Sequence, residues 1–92
     1  MTNELNTPTG LVAAAGPGVN TIEFSATSGQ NAVYEIWRRH GDTVDWYLHA
    51  TATNPVFEDT GVTPGQYYEY KVRAASGGEY SEFSDTAVVY GK

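Results

Sequence analysis

The sequence predicts an all-β domain, a seven-stranded antiparallel sandwich, on three observations. Several stretches alternate apolar and polar residues with period two, as strands do when one face meets a core and the other meets water. Clusters of Gly, Pro, Asn, Asp and Ser punctuate them, at the spacing of roughly 8 to 12 residues that all-β folds show. No stretch carries the 3.6-residue period of an amphipathic helix.

Taken in order, residues 1–9 are polar and contain Thr7-Pro8-Thr9. They are expected to form an amino-terminal arm or linker, mobile alone and ordered on a partner, which leaves 10–91 as the domain. Residues 11–14 are a short apolar edge strand, broken by Gly16-Pro17-Gly18. In 21–26, Ile22, Phe24 and Ala26 share the inward face, and 27–31 turn. In 32–39, Tyr34 and Ile36 share one face, while Val33, Glu35, Trp37 and Arg39 share the other. Residues 40–45 form a polar turn, and 46–53 a strand with Leu48 and Ala50 as its inward pair. After Asn54-Pro55, Phe57 faces inward from the short strand 56–59.

The stretch 62–74 is the most informative. Pro64 presets φ and Gly65 accepts the positive φ that many turns need. The strand that follows places Tyr68, Tyr70, Val72 and Ala74 on one face, with Tyr67, Glu69, Lys71 and Arg73 on the other. A flexible Ser76-Gly77-Gly78 loop comes next, then its polar continuation at 80–84, then a last strand at 85–90.

Length and charge bound the function. Ninety-two residues make one domain that buries a modest share of its surface. It has no cysteine, so its core holds without disulfides in either redox compartment. Eleven acids against five scattered bases give a net charge of −6. That excludes the basic footprint of a nucleic-acid binder and disfavours an anionic membrane surface. The apolar runs are too short to span a bilayer. Residues 1–6 show neither the basic start nor the apolar stretch of a signal peptide.

The pattern Val62-x-Pro64-Gly65-x-x-Tyr68-x-Tyr70-x-Val72-x-Ala74 resembles the fibronectin type III family at its turn into the sixth strand. Phe57-x-Asp59-x-x-Val62, Tyr34-x-Ile36 and Ser81-x-x-Ser84 are similar to the same family, over roughly Pro8 to Tyr90. The resemblance implies an immunoglobulin-like sandwich in which Tyr68 closes a tyrosine corner. One departure is Phe24, which stands where the family usually carries a core tryptophan. Physically, a tyrosine entering a core needs a partner for its hydroxyl, and the backbone of the preceding turn is nearest. The competing reading makes Tyr68 one more half-buried aromatic.

Reactive constellations are missing from the sequence. It has no G-x-S-x-G elbow and no cysteine nucleophile. His40 and His49 lack the dense spacing of zinc sites and read as exposed side chains. Gly16-x-Gly18 is a turn and not a phosphate loop. Arg39-His40-Gly41-Asp42 only superficially resembles the integrin tripeptide. Asp42, Asp45, Glu58 and Asp59 form no dense calcium loop and read as a solvated acidic face. No catalytic residue, metal or cofactor is expected.

Trp37 and Tyr67, with Tyr47 from the next strand, form a possible binding surface. They serve either as an aromatic platform for a sugar ring or a protein partner, or as covers for the stems of Arg39, Lys71 and Arg73. The function expected is therefore a non-catalytic structural, display or adhesive module. It belongs on a virion, as a bacteriophage capsid decoration or tail-associated protein, or on a cell surface, as a bacterial surface-protein domain. Its partner is then a protein or a larger lattice. The alternative is a carbohydrate-binding accessory module or spacer of a secreted bacterial enzyme.

Overall fold

Two antiparallel sheets pack face to face in the computed structural model, which describes residues 5–26, 32–40 and 45–92. The expected turn at 27–31, residues 41–44 of the expected turn at 40–45, with Asp42, and the first four residues lie outside the described residues. The strands are β1 (Thr9–Gly16), β2 (Val19–Ser25), β3 (Val33–Arg39), β4 (Tyr47–Ala52), β5 (Val56–Asp59), β6 (Tyr67–Ser76), β7 (Glu79–Tyr80) and β8 (Ala87–Tyr90). One sheet runs β1-β2-β5; the other runs β4-β3-β6, and both β7 and β8 pair with β6. The described residues thus hold eight strands where seven were expected. The extra one is the two-residue β7 in the stretch read as polar loop.

The inward alternation is observed. Ile22 and Phe24 of the first sheet meet Tyr34, Ile36, Tyr68, Tyr70, Val72 and Ala74 of the second, all buried. Phe24 fills the place of the expected tryptophan by meeting Tyr34 edge-to-face at 5.2 Å. Phe57 packs against this core and is half-buried. Leu5 also packs on the core and Pro8 is fully buried. Residues 5–8, expected to belong to an arm, are therefore part of the packed unit.

The turn before β6 has the chemistry that its sequence dictates. Gly65 has φ of 81°, and the Gln66 amide donates to the Thr63 carbonyl at 3.1 Å. With Pro64 ahead of the glycine, this is a type II turn. The Tyr68 hydroxyl then accepts from the Thr63 amide at 2.7 Å, five residues back. The chain end closes on the same corner. Gly65 donates to the Gly91 carbonyl and Gly91 donates to Gln66, both at 2.9 Å. A Cβ at Gly91 would lie 2.4 Å from the Thr63 carbonyl oxygen, so only glycine fits.

Between β7 and β8 the chain leaves β6, and two serines replace the missing ladder. Ser81 Oγ accepts from the Ala74 amide at 2.9 Å, and Ser84 Oγ accepts from the Val72 amide at 3.1 Å. Their own amides donate back to the carbonyls of Ala74 and Val72. The Ser-x-x-Ser spacing satisfies both strand residues without a continuous strand.

Candidate functional site

Two clusters gather the charged and aromatic side chains, one between the sheets and one on the outer face of the larger sheet. The inner cluster centres on Asp59, whose side chain is 1% exposed. It sits at the end of β5 opposite Asn20 of β2, and two residues on from the inward Phe57. Asp59 Oδ2 accepts from Arg38 Nη1 at 2.7 Å and from the Tyr70 hydroxyl at 2.6 Å. Oδ1 accepts from the Gly61 amide at 3.2 Å and lies 3.0 Å from His49 Nε2. Arg38 Nε donates to the Tyr47 hydroxyl at 2.6 Å, and Asn20 Nδ2 donates to the Tyr70 hydroxyl at 3.0 Å. The Arg38 guanidinium also stands 5.2 Å over the ring of Tyr68.

A bulge supplies two members of this cluster, Tyr47 and His49. The pairing of β3 with β4 steps from Ile36–Ala50 to Trp37–Leu48, which leaves His49 as the extra residue. The alternation therefore slips by one. Tyr47 lies opposite the inward Arg38, and His49 turns toward Asp59. Leu48 lies opposite the outward Trp37 and is exposed. Four expectations are corrected here. Leu48 is not an inward residue, Tyr47 does not join Trp37 and Tyr67 on the outer face, and His49 is not a simple exposed side chain. Asp59 likewise does not belong to a solvated acidic face.

The electrostatics follow from burial. Burial opposes ionisation of Asp59, but the Tyr70 hydroxyl and Arg38 outweigh it and hold the carboxyl below its usual range. Burial, reinforced by the neighbouring Asp59, pushes the Tyr70 phenol well up, so Tyr70 stays a donor. The arrangement resembles an acid–base centre only in its residue types. Both oxygens of Asp59 are already bonded and its side chain has almost no contact with solvent. Among the described residues no group of three metal-ligating side chains comes together.

The outer cluster is a ladder of rings and cations. Arg73 pairs with Glu35 at 2.7 Å and lies 4.1 Å from the ring centre of Tyr80, 4.9 Å from Phe83 and 5.5 Å from Trp37. Lys71 Nζ lies 4.1 Å from Phe83 and 4.5 Å from Trp46. Arg39 lies 5.0 Å over Trp46 and pairs with Glu69 at 2.7 Å. Trp37 Nε1 donates to Glu35 at 3.0 Å, and the ring meets Phe83 edge-on at 5.7 Å. The Tyr67 hydroxyl donates to Glu69, and the Tyr67 ring meets Tyr90 at 5.4 Å. Glu69 is held below its usual range by Arg39 and by Tyr67.

Trp37 and Tyr67 thus lie on the expected outer face, and the structure adds Trp46, Tyr80 and Phe83 to them. Phe83 was not foreseen because it sits in an irregular stretch; the flanking serines point it outward by fixing the backbone on both sides. An open depression lined by Leu5, Thr7 and residues 79–82 borders the outer cluster at Tyr80 and lies away from Asp59.

Solved structures share this architecture. An Fn3-like protein from Clostridium thermocellum is 30% identical, with 92% of this chain and 91% of that chain covered and a TM-score of 0.79. The structure called FN3tt is 23% identical, with 95% and 94% covered and a TM-score of 0.79. Domains A168–A170 of titin are 12% identical with a TM-score of 0.81; the match covers 96% of this chain and 32% of that one, and shows the fold alone. No protein-family profile and no curated protein matches the chain.

Proposed function

The chain belongs to the fibronectin type III-like family, and from that premise we propose that it is a non-catalytic structural or display module held by protein contacts in a larger assembly. The observation that carries this reading is the saturation of its reactive-looking groups. Asp59, Arg38, Tyr70 and His49 bond one another across the sheets, and Glu35, Glu69, Arg39 and Arg73 pair across β3 and β6. Groups so engaged hold a scaffold rigid and offer no free nucleophile or base.

The setting we propose is a virion or a cell surface, as a bacteriophage decoration or tail-associated protein or as a bacterial surface-protein domain. The sugar-binding alternative draws less support, because cations stand over the faces of Trp37, Trp46, Tyr80 and Phe83 where a pyranose would stack.

Fractionation of the producing culture with mass spectrometry tests the reading. Peptides of this chain are expected in purified virions or in surface particles. Recovery only as a free monomer in the soluble fraction would overturn it, and so would substrate turnover by the pure chain.

A further inference from the structure

We propose that the outer face of the larger sheet docks an acidic segment of a protein partner, and that the Lys71 ammonium receives its carboxylate. This inference rests on the assembly reading above and names the chemistry of the contact.

The argument begins with a charge count on one face. Arg39, Lys71 and Arg73 share it with Glu35 and Glu69. Glu69 pairs with Arg39 and Glu35 pairs with Arg73, each at 2.7 Å and each directly across β3 and β6. Among the described residues three cations of this face thus meet two carboxylates. Among the described residues no carboxylate lies within ion-pair distance of Lys71.

Lys71 is also preorganised. Its Nζ is held between Phe83 and Trp46, at 4.1 and 4.5 Å from their centres. A side chain already fixed loses little further rotamer freedom on binding. Burial, with Arg39 and Arg73 nearby, pushes its pKa down. An incoming carboxylate relieves the repulsion between these like charges.

The net charge of −6 does not prevent this. At physiological salt, charges farther than about 8 Å apart are largely screened, so the Lys71 ammonium itself governs a short contact. The occupant is a peptide and not an acidic glycan for a steric reason. Cations already cover the ring faces that a sugar would need. Beside them, Val88 and Tyr90 of β8 are 51% and 62% exposed and lie opposite Glu69 and Tyr67. Such scattered apolar side chains suit the side chains of a peptide laid along the strand.

The test uses the whole chain and a short soluble peptide of alternating glutamate and tyrosine, at physiological salt. Amide chemical shifts at Lys71, Arg73, Phe83 and Val88 are expected to move and saturate. Lys71→Gln is expected to weaken binding about tenfold, the scale of one charge-assisted contact. Lys71→Arg retains most of the affinity, and Lys92→Gln changes nothing. Matching thermal melts of the variants show that the fold is kept. Three outcomes overturn the proposal: no saturable shift in the wild type, equal affinity in Lys71→Gln, or Lys71-dependent binding of polygalacturonate without binding of the peptide. Each would leave recovery of the chain in particles untouched, so this proposal and the assembly reading fail separately.

Discussion

The interior around Asp59 and the outer face around Lys71 are built from the same kinds of residue and use them in opposite ways. Inside, Asp59 joins the two sheets, with Arg38 and Tyr70 reaching it from the larger one. Outside, Glu35 and Glu69 join β3 to β6, strands that backbone bonds already hold together. The inner pair is 13% exposed at Arg38 and 1% at Asp59, while the outer pairs are 24% and 25% exposed at their arginines and 13% and 9% at their carboxylates. Removing Asp59 or its partners strands a charge in a poor solvent; an outer pair that loses one member leaves the other at the edge of water, where part of the charge is still solvated. Similar arginine–carboxylate distances should therefore carry very different energies.

Asp59→Ala is the strongest way to break this comparison. It strands Arg38 and leaves the Tyr70 hydroxyl without its acceptor. A loss of about 3 to 5 kcal/mol is expected in urea melts. Loss of the fold at room temperature would agree, since a domain this small holds only about 5 to 10 kcal/mol. A cost under about 1 kcal/mol would make the two regions equivalent.

Acid separates the regions next. Asp59 and Glu69 both titrate below their ordinary values of 3.8 and 4.5, Asp59 against burial through Tyr70 and Arg38, Glu69 through Arg39 and Tyr67. A carboxyl with a depressed folded pKa adds stability above its unfolded pKa and loses it as pH falls through the folded one. Stability should therefore be full near neutrality and fall below about pH 4.5 and 3.8. Asp59→Asn should flatten the acid limb of the stability curve more than Glu69→Gln does. Equal flattening would mean that burial of Asp59 adds nothing.

Much of the fold was legible in the sequence, because period two survives wherever a strand is regular. Tyr34, Ile36, Tyr68, Tyr70, Val72 and Ala74 all bury as their spacing implies. The polar interior was half legible. Arg38 continues the parity of Tyr34 and Ile36, and Asp59 continues that of Phe57, so both were due to face inward. Placing Asp59 on a solvated acidic face ranks charge type above position, and Arg38 is assigned to neither face from the sequence alone. The contribution of β4 was not legible. Its bulge shifts Tyr47, His49 and Ala50 against a simple alternation, and no residue type in that stretch marks the shift. Gly91 was equally silent, because its constraint comes from Thr63, far away in sequence.

Tyr68→Phe sharpens the inner side of the comparison at smaller scale. The ring stays to cover the core and to meet Arg38, while the Thr63 amide loses its 2.7 Å acceptor. A destabilisation of about 1 to 3 kcal/mol is expected, the cost of an unsatisfied, partly buried donor. A change within about 0.3 kcal/mol would reduce the tyrosine corner to packing alone.

The smallest effect belongs to the outer ladder, and salt is the tool that isolates it. Arg73→Gln removes the pair with Glu35 but leaves Trp37, Tyr80 and Phe83 in place. Its cost should be about 0.5 to 1 kcal/mol at low salt, the range of a cross-strand ion pair open to water with a modest ring contribution. In 1 M sodium chloride the Debye length shrinks to about 3 Å, and a pair at the surface, 24% and 13% exposed, loses much of its attraction. The difference between Arg73→Gln and wild type should then narrow toward the part owed to ring contact. The cost of Asp59→Ala should persist, because ions do not enter the space around a carboxylate that is 1% exposed. If salt shrinks both costs in proportion, water reaches Asp59 as freely as it reaches Glu35, and the distinction between a clasp joining two sheets and a charged surface fails.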